Sequence, residues 1–189
     1  YGIHALASGT GAVSVSTGGD VSATTTYNDA TGIYANAYGA DAYVYATGGT
    51  IVADSVYGNA TGIHAFAYGD VYVGSDDDIS VYAGYGNATG IFAAAYTGNA
   101  VVYSGGAIDA SANGVAYGIH AVAYLDGYVS VTNTGPIDVT ANAGAGYGVF
   151  ATTSGLGDVS VDSSGDIQVD ADLAAYGIKA YATGTGDVN

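Results

Sequence analysis

The sequence predicts an all-β protein, a single parallel β-helix of about 29 residues per three-strand turn, and three observations carry the prediction. First, a glycine followed by Ile or Val, any residue and Ala recurs at Gly2, Gly32, Gly62, Gly90, Gly118, Gly148 and Gly177, at intervals of 30, 30, 28, 28, 30 and 29 residues. Second, each complete unit holds three short runs of alternating apolar and polar residues, separated by Gly, Asn, Asp, Ser or Thr, which is the pattern of strands with one buried face. Third, no segment sustains a helical i, i+3, i+4 apolar pattern between the glycines, whereas β-branched residues and tyrosine are abundant. The period barely drifts, so one domain of six to seven stacked turns spans residues 1–189.

Aligning the units assigns each strand an inward face. In the first strand, Ile3, Ile33, Ile63, Ile91, Ile119, Val149 and Ile178 form one core column and Ala5, Ala35, Ala65, Ala93, Ala121, Ala151 and Ala180 the next. The second strand contributes Val15, Val73, Val102, Val131 and Val161, with Val13, Val71, Val129 and Val159 beside most of them. Its second copy places Tyr43 and Tyr45 on those positions with Val44 between, which predicts a one-residue bulge turning Val44 inward. The third strand gives Val21, Ile51, Ile79, Ile108, Ile137 and Ile167, then Ala23, Ala53, Val81, Ala110, Val139 and Val169. Turns about 4.8 Å apart would make a short rod. Neither end shows a helical or polar cap, so the chain reads as a segment of a longer array or as a subunit whose ends pair with the next copy.

Composition narrows the setting. The net charge is −16, with Lys179 the one basic residue and all seventeen acidic residues Asp. Nucleic acid is excluded as a partner, because neutralising phosphates takes clusters of Lys and Arg. Cysteine is absent, so no disulfide staples the fold, and no apolar run is long enough for a membrane-spanning helix. Acidity of this degree keeps a repetitive β surface from aggregating and suits an extracellular or cell-surface location. Ahead of the third strand stand Asp20, Thr50, Asp78, Ala107, Pro136 and Asp166, so acids in this column never occupy adjacent turns. Two like charges one turn apart repel by about 1 kcal/mol in water.

The motifs G-I-x-A, G-D-V-x-V and G-x-I-x-V, as in Gly62–Ala65 with Gly69–Val73 and in Gly157–Val161 with Gly165–Val169, run the length of the chain. In this it resembles the tandem repeats of bacterial autotransporter passengers and related secreted β-solenoid adhesins. The resemblance implies a right-handed parallel β-helix exported to the cell surface, where such proteins serve adhesion, aggregation or biofilm formation.

The face opposite the first core column carries His4, Tyr34, His64, Phe92, His120, Phe150 and Lys179, and a second column holds Tyr38, Tyr68, Tyr96 and Tyr124. An exposed aromatic stripe of this extent predicts an interface; stacked rings that merely stabilise their own sheet are the competing reading. The expected function is a structural filament, fibre or adhesin stalk that assembles with itself or continues as a longer array. The alternative is a passenger that binds surface polysaccharide through the aromatic stripe. No enzyme is expected: no turn departs from its neighbours, Arg is absent, and the three histidines belong to the repeat column. No cofactor is implied, with Ca²⁺ on the hard oxygens of Asp76, Asp77 and Asp78 as the one metal candidate. Asn59-Ala60-Thr61 and Asn87-Ala88-Thr89 are glycosylation acceptor triplets at equivalent turns.

Overall fold

A computed structural model describes residues Tyr1–Asn189 as a β-solenoid of three parallel sheets, with no helix. The first sheet contains the seven strands Ile3–Ala7, Ala30–Ala37, Ala60–Ala67, Ala88–Ala95, Ala116–Ala123, Ala145–Thr153 and Ala174–Ala182. The second contains Val13–Thr17, Ala42–Ala46, Val71–Ser75, Ala100–Ser104, Val129–Asn133 and Val159–Ser163. The third contains Val21–Thr25, Thr50–Ser55, Asp78–Ala83, Ile108–Ala112, Ile137–Ala141 and Ile167–Ala171. The chain visits the sheets in that order once per turn. Each strand pairs with its counterparts one turn before and one turn after, so equivalent residues lie directly over one another: Ile33 on Ile63, Ile63 on Ile91, Ile91 on Ile119.

This register produces one continuous core of 43 buried residues. Isoleucines of the first and third sheets and valines of the second meet inside, with alanines filling the narrow corners. Ile33, Ile51, Ile63, Val44 and Val73 are fully buried, so the period-two alternation has become an inside and an outside.

The second strand of the second turn departs from expectation. Val44 does face inward, lying over Val15 and under Val73, but Ala42–Ala46 contains no bulge. The slip is absorbed before the strand begins. The stretch from the repeat glycine to the first inward residue runs from Gly2 to Val13, from Gly32 to Ala42 and from Gly62 to Val71, one residue shorter at each step. A connection tolerates such a change, whereas a slip inside a strand would turn every later side chain over.

Alternation breaks once per turn, at the repeat glycine. In Ala30–Ala37 both Gly32 and Ile33 are buried, and the same pair is buried in the three strands that follow it in the sheet. The strand therefore bends at this point. A Cβ on Gly32 would lie 2.6 Å from the Gly62 carbonyl oxygen and 2.6 Å from Ile51 Cγ2, so only glycine lets the bend close on the third sheet. On the outer side the bend forms a crease, across which Tyr117 and His120 stack at 4.7 Å.

The aspartates and asparagines of the turns act as steps between turns. Thr50 N–H donates to Asp20 Oδ1, Ala107 N–H to Asp78 Oδ1 and Asp187 N–H to Asp158 Oδ1, at 2.9, 2.8 and 2.7 Å. Two columns continue the device over consecutive turns. In one, Asp70 N–H donates to Asp41, Asn99 N–H to Asp70 and Tyr128 N–H to Asn99. In the other, Asn59 N–H donates to Asp29, Asn87 N–H to Asn59 and Val115 N–H to Asn87. Each side chain supplies an acceptor to a turn amide that the strand ladder does not reach. Asp41 and Asp70 occupy adjacent turns, so the spacing of acids seen before the third strand is a property of that column and not of the whole surface.

Two outcomes follow from this packing. Gly32→Ala should destabilise the fold by about 1–3 kcal/mol, while Gly11→Ala, whose added Cβ meets nothing within 4 Å, should leave it nearly unchanged; chemical denaturation of both variants measures this. Asn99→Ala should cost about 1 kcal/mol by leaving the Tyr128 amide without its acceptor, and Asn99→Asp should retain most of the stability.

Candidate functional site: a notch in the tyrosine column

The bend at the repeat glycine sets two outward columns facing each other across the crease. On one side, two residues after the glycine, stand His4, Tyr34, His64, Phe92, His120 and Phe150. Their successive ring centroids are 4.9, 4.8, 4.9, 5.2 and 5.0 Å apart, a continuous ladder. From Tyr34 onward these rings are half-buried, less exposed than alternation alone predicts, because the crease covers their flanks. The column of Tyr38, Tyr68, Tyr96 and Tyr124 is the exposed part of the stripe, at 55, 49, 42 and 43%. At the far end, Lys179 lies 4.6 Å over the Tyr176 ring.

On the other side of the crease, one residue before each glycine, the column reads Tyr1, Thr31, Thr61, Thr89, Tyr117, Tyr147 and Tyr176. The last three stack almost in parallel, at 4.9 and 5.1 Å. Where threonine replaces tyrosine the crease is unfilled, and a groove of about 390 Å³ opens. Thr31, Thr61 and Thr89 are in register and form its floor. Tyr34, His64 and Phe92 form one wall, Asp29, Asn59 and Asn87 the other, and Tyr1 and Tyr117 stand at its two ends. Thr31 is only 8% exposed, yet no hydrogen bond within the protein reaches its hydroxyl or those of Thr61 and Thr89.

The electrostatics of the groove are one-sided. Burial lowers the pKa of His64 and takes that of His120 down to about 4, so both rings are neutral at pH 7. No Lys or Arg lines the groove, and Asp29 supplies the one carboxylate. Asn59 Nδ2 donates to Asp29 Oδ1 at 3.2 Å, while Asn87 uses its Oδ1 and leaves Nδ2 without a protein partner. Of the two glycosylation acceptors, therefore, Asn59 has its amide nitrogen engaged in the ladder and Asn87 has it open.

The three consecutive aspartates do not converge. Asp77 is buried, its Oδ1 accepting from Gly49 N–H at 2.8 Å toward the preceding turn; Asp78 reaches the following turn, and Asp76 is exposed. The buried Asp77 is turned away from the exposed Asp76 and Asp78 and bonded to a different turn from Asp78, and no group of three His, Cys, Asp or Glu residues is placed to hold a metal ion. Asp77 stands instead in a corner column otherwise occupied by Gly19, Gly49, Gly106, Gly135 and Gly165.

No family model, no curated protein and no solved structure matches this chain. The site therefore rests on its own geometry. No helix is long and apolar enough to cross a membrane.

Sequence reasoning singles out the ring wall but meets Thr61 and Thr89 only as members of glycosylation triplets, not as a floor. The signal was present in the residues just before each repeat glycine: Asp29-Ala30-Thr31, Asn59-Ala60-Thr61 and Asn87-Ala88-Thr89 in three turns, then Val115-Ala116-Tyr117, Ala145-Gly146-Tyr147 and Ala174-Ala175-Tyr176. It also passed over a second tyrosine ladder, Tyr27, Tyr57 and Tyr85, which stack at 5.5 and 5.2 Å on an exposed corner.

His120 generates a pH prediction. Its pKa in the folded protein, about 4, lies below the ordinary 6.5 of an unfolded chain, so between those values the unfolded state binds the extra proton. Stability from this residue is complete above 6.5 and falls as pH drops toward 4. The melting temperature of the native chain should decline more steeply over that window than that of His120→Phe, which places in the column the ring already present at Phe92 and Phe150; parallel curves would refute the assignment.

Proposed function

We propose that the chain is a structural shaft, an extracellular or cell-surface β-solenoid of the adhesin-stalk kind, which works by mechanics: turns stack along its axis and rods associate sideways. The observation that carries this reading is uniformity. The same inward columns and the same register recur from turn to turn in all three sheets, and no turn carries an insertion built for chemistry. Such a stack lengthens by adding turns without changing its cross-section. The Asx steps tie successive turns together at the corners, where a stack held by strand ladders alone would fray. The outward column of Tyr38, Tyr68, Tyr96 and Tyr124 offers an amphipathic sideways contact. A net charge of −16 and the resemblance to autotransporter-passenger repeats favour the surface setting.

Electron microscopy and fibre diffraction of the purified protein at neutral pH, with and without Ca²⁺, test the proposal. Rods that join into filaments with an axial repeat of about 4.8 Å are expected. Their formation should be indifferent to Ca²⁺, since the carboxylates of Asp76, Asp77 and Asp78 diverge. Sideways bundling should fall in a Tyr68→Ser, Tyr96→Ser double variant whose melting temperature is retained. Short rods that remain separate at all concentrations would overturn self-association.

A further inference from the structure

We propose that the notch over Thr31, Thr61 and Thr89 binds an extended chain of neutral pyranose sugars, lying along the solenoid axis. The proposal does not depend on the shaft reading, because a stalk with an unused crease and a stalk with a bound glycan would be equally stiff.

The notch is made by residue choice and not by loops. The positions three and one residues before the repeat glycine hold Asp or Asn with Thr in three consecutive turns, and Val or Ala with Tyr in the three that follow. Both sets fold on the same register, as Thr89 over Tyr117 and Tyr117 over Tyr147 demonstrate. The fold thus accepts a filled crease, and filling it would bury more apolar surface. The Asx column has a structural use in its steps to the next turn. The threonine column has none: no protein group hydrogen-bonds its hydroxyls, and all three threonines line the open groove. Hydroxyls left free along an open groove, beside an open amide nitrogen and a carboxylate oxygen, suit a ligand that brings hydroxyls of its own.

The two walls fit opposite sides of a sugar ring. A pyranose has an apolar face of C–H groups and a rim of hydroxyls. His64 and Phe92, at 4.9 Å from each other, offer the apolar face a surface, while Asn87 Nδ2, the free oxygen of Asp29 and the threonine hydroxyls offer the rim both donors and acceptors. The rungs repeat at about 4.8 Å, close to the length of one sugar unit in an extended chain, so successive sugars would meet successive turns. Only a ribbon-like chain lies straight along such a groove, as in β-1,4-linked hexosans.

Other occupants fit less well. Uronates, phosphates and sulfates would meet Asp29 and neutral histidines with no cation to hold them. An extended peptide binds a sheet by its free edge, and the strands behind the notch are paired on both sides.

Isothermal titration of the whole chain with cellohexaose, chitohexaose and an oligogalacturonate hexamer tests the assignment. Saturable binding of at least one neutral oligomer is expected, with no binding of the oligogalacturonate. Thr61→Tyr should weaken that binding at least about tenfold with an unchanged melting curve, since the new ring can stack on His64 as Tyr117 does on His120. Tyr117→Thr should lengthen the notch by one turn and raise the preference for the tetramer over the trimer, which gives a readout in the opposite direction. The proposal is overturned if neither neutral oligomer binds, if the anionic oligomer is preferred, or if both variants bind as the native chain does.

Discussion

Everything in this structure depends on the parallel register between successive turns. A strand hydrogen-bonded in register to its own equivalent one turn away places like residues over like at about 4.8 Å, and the sheets offer no other partner. Identity along the axis is then both a benefit and a constraint. Isoleucine over isoleucine packs well, ring over ring stacks, and an Asx side chain finds the next turn's amide at a fixed reach. A charge over a like charge would be costly, and where Asp41 and Asp70 do follow one another, each carboxylate is held by an amide donor of the next turn.

The interior is narrow enough that a single methyl group matters. Glycine at the bend lets the first sheet lie against the isoleucines of the third, and the same bend folds the outer surface into a crease. Core packing and surface topography are thus two sides of one constraint. The half-buried ring ladder and the unfilled stretch beside it follow from a demand made by the core, and the surface residues determine only whether the crease is filled.

What the sequence made legible was whatever repeats with period two inside period 29. The inward columns and the three-strand turn could be read because a strand's alternation and the repeat reinforce each other. Val44 was placed inward correctly but by the wrong device, since the variable connection ahead of Ala42 is visible only when the register is known. Asp76, Asp77 and Asp78 are neighbours in sequence, but Asp77 is turned inward to the preceding turn while Asp78 reaches the following one. The ring column was legible as a column but not as half-buried, because a bend that turns two consecutive residues inward leaves no mark in an alternation pattern. Thr31, Thr61 and Thr89 are not legible as a groove floor for a simpler reason: an absence of bulk becomes a shape only when the bulk on either side is in place.

The Asx steps, finally, point one way. Apart from Asp77, each reaches from a turn to the amide of the turn that follows, so these side-chain acceptors point toward the C-terminal end of the stack. The two ends of the stack are accordingly chemically different. A chain that emerges from synthesis or export with its N-terminal turns first meets a template whose hydrogen-bond acceptors are already in position, and each added turn becomes the template for the next. A static row of aspartates thereby gives the rod a sense of direction along the chain.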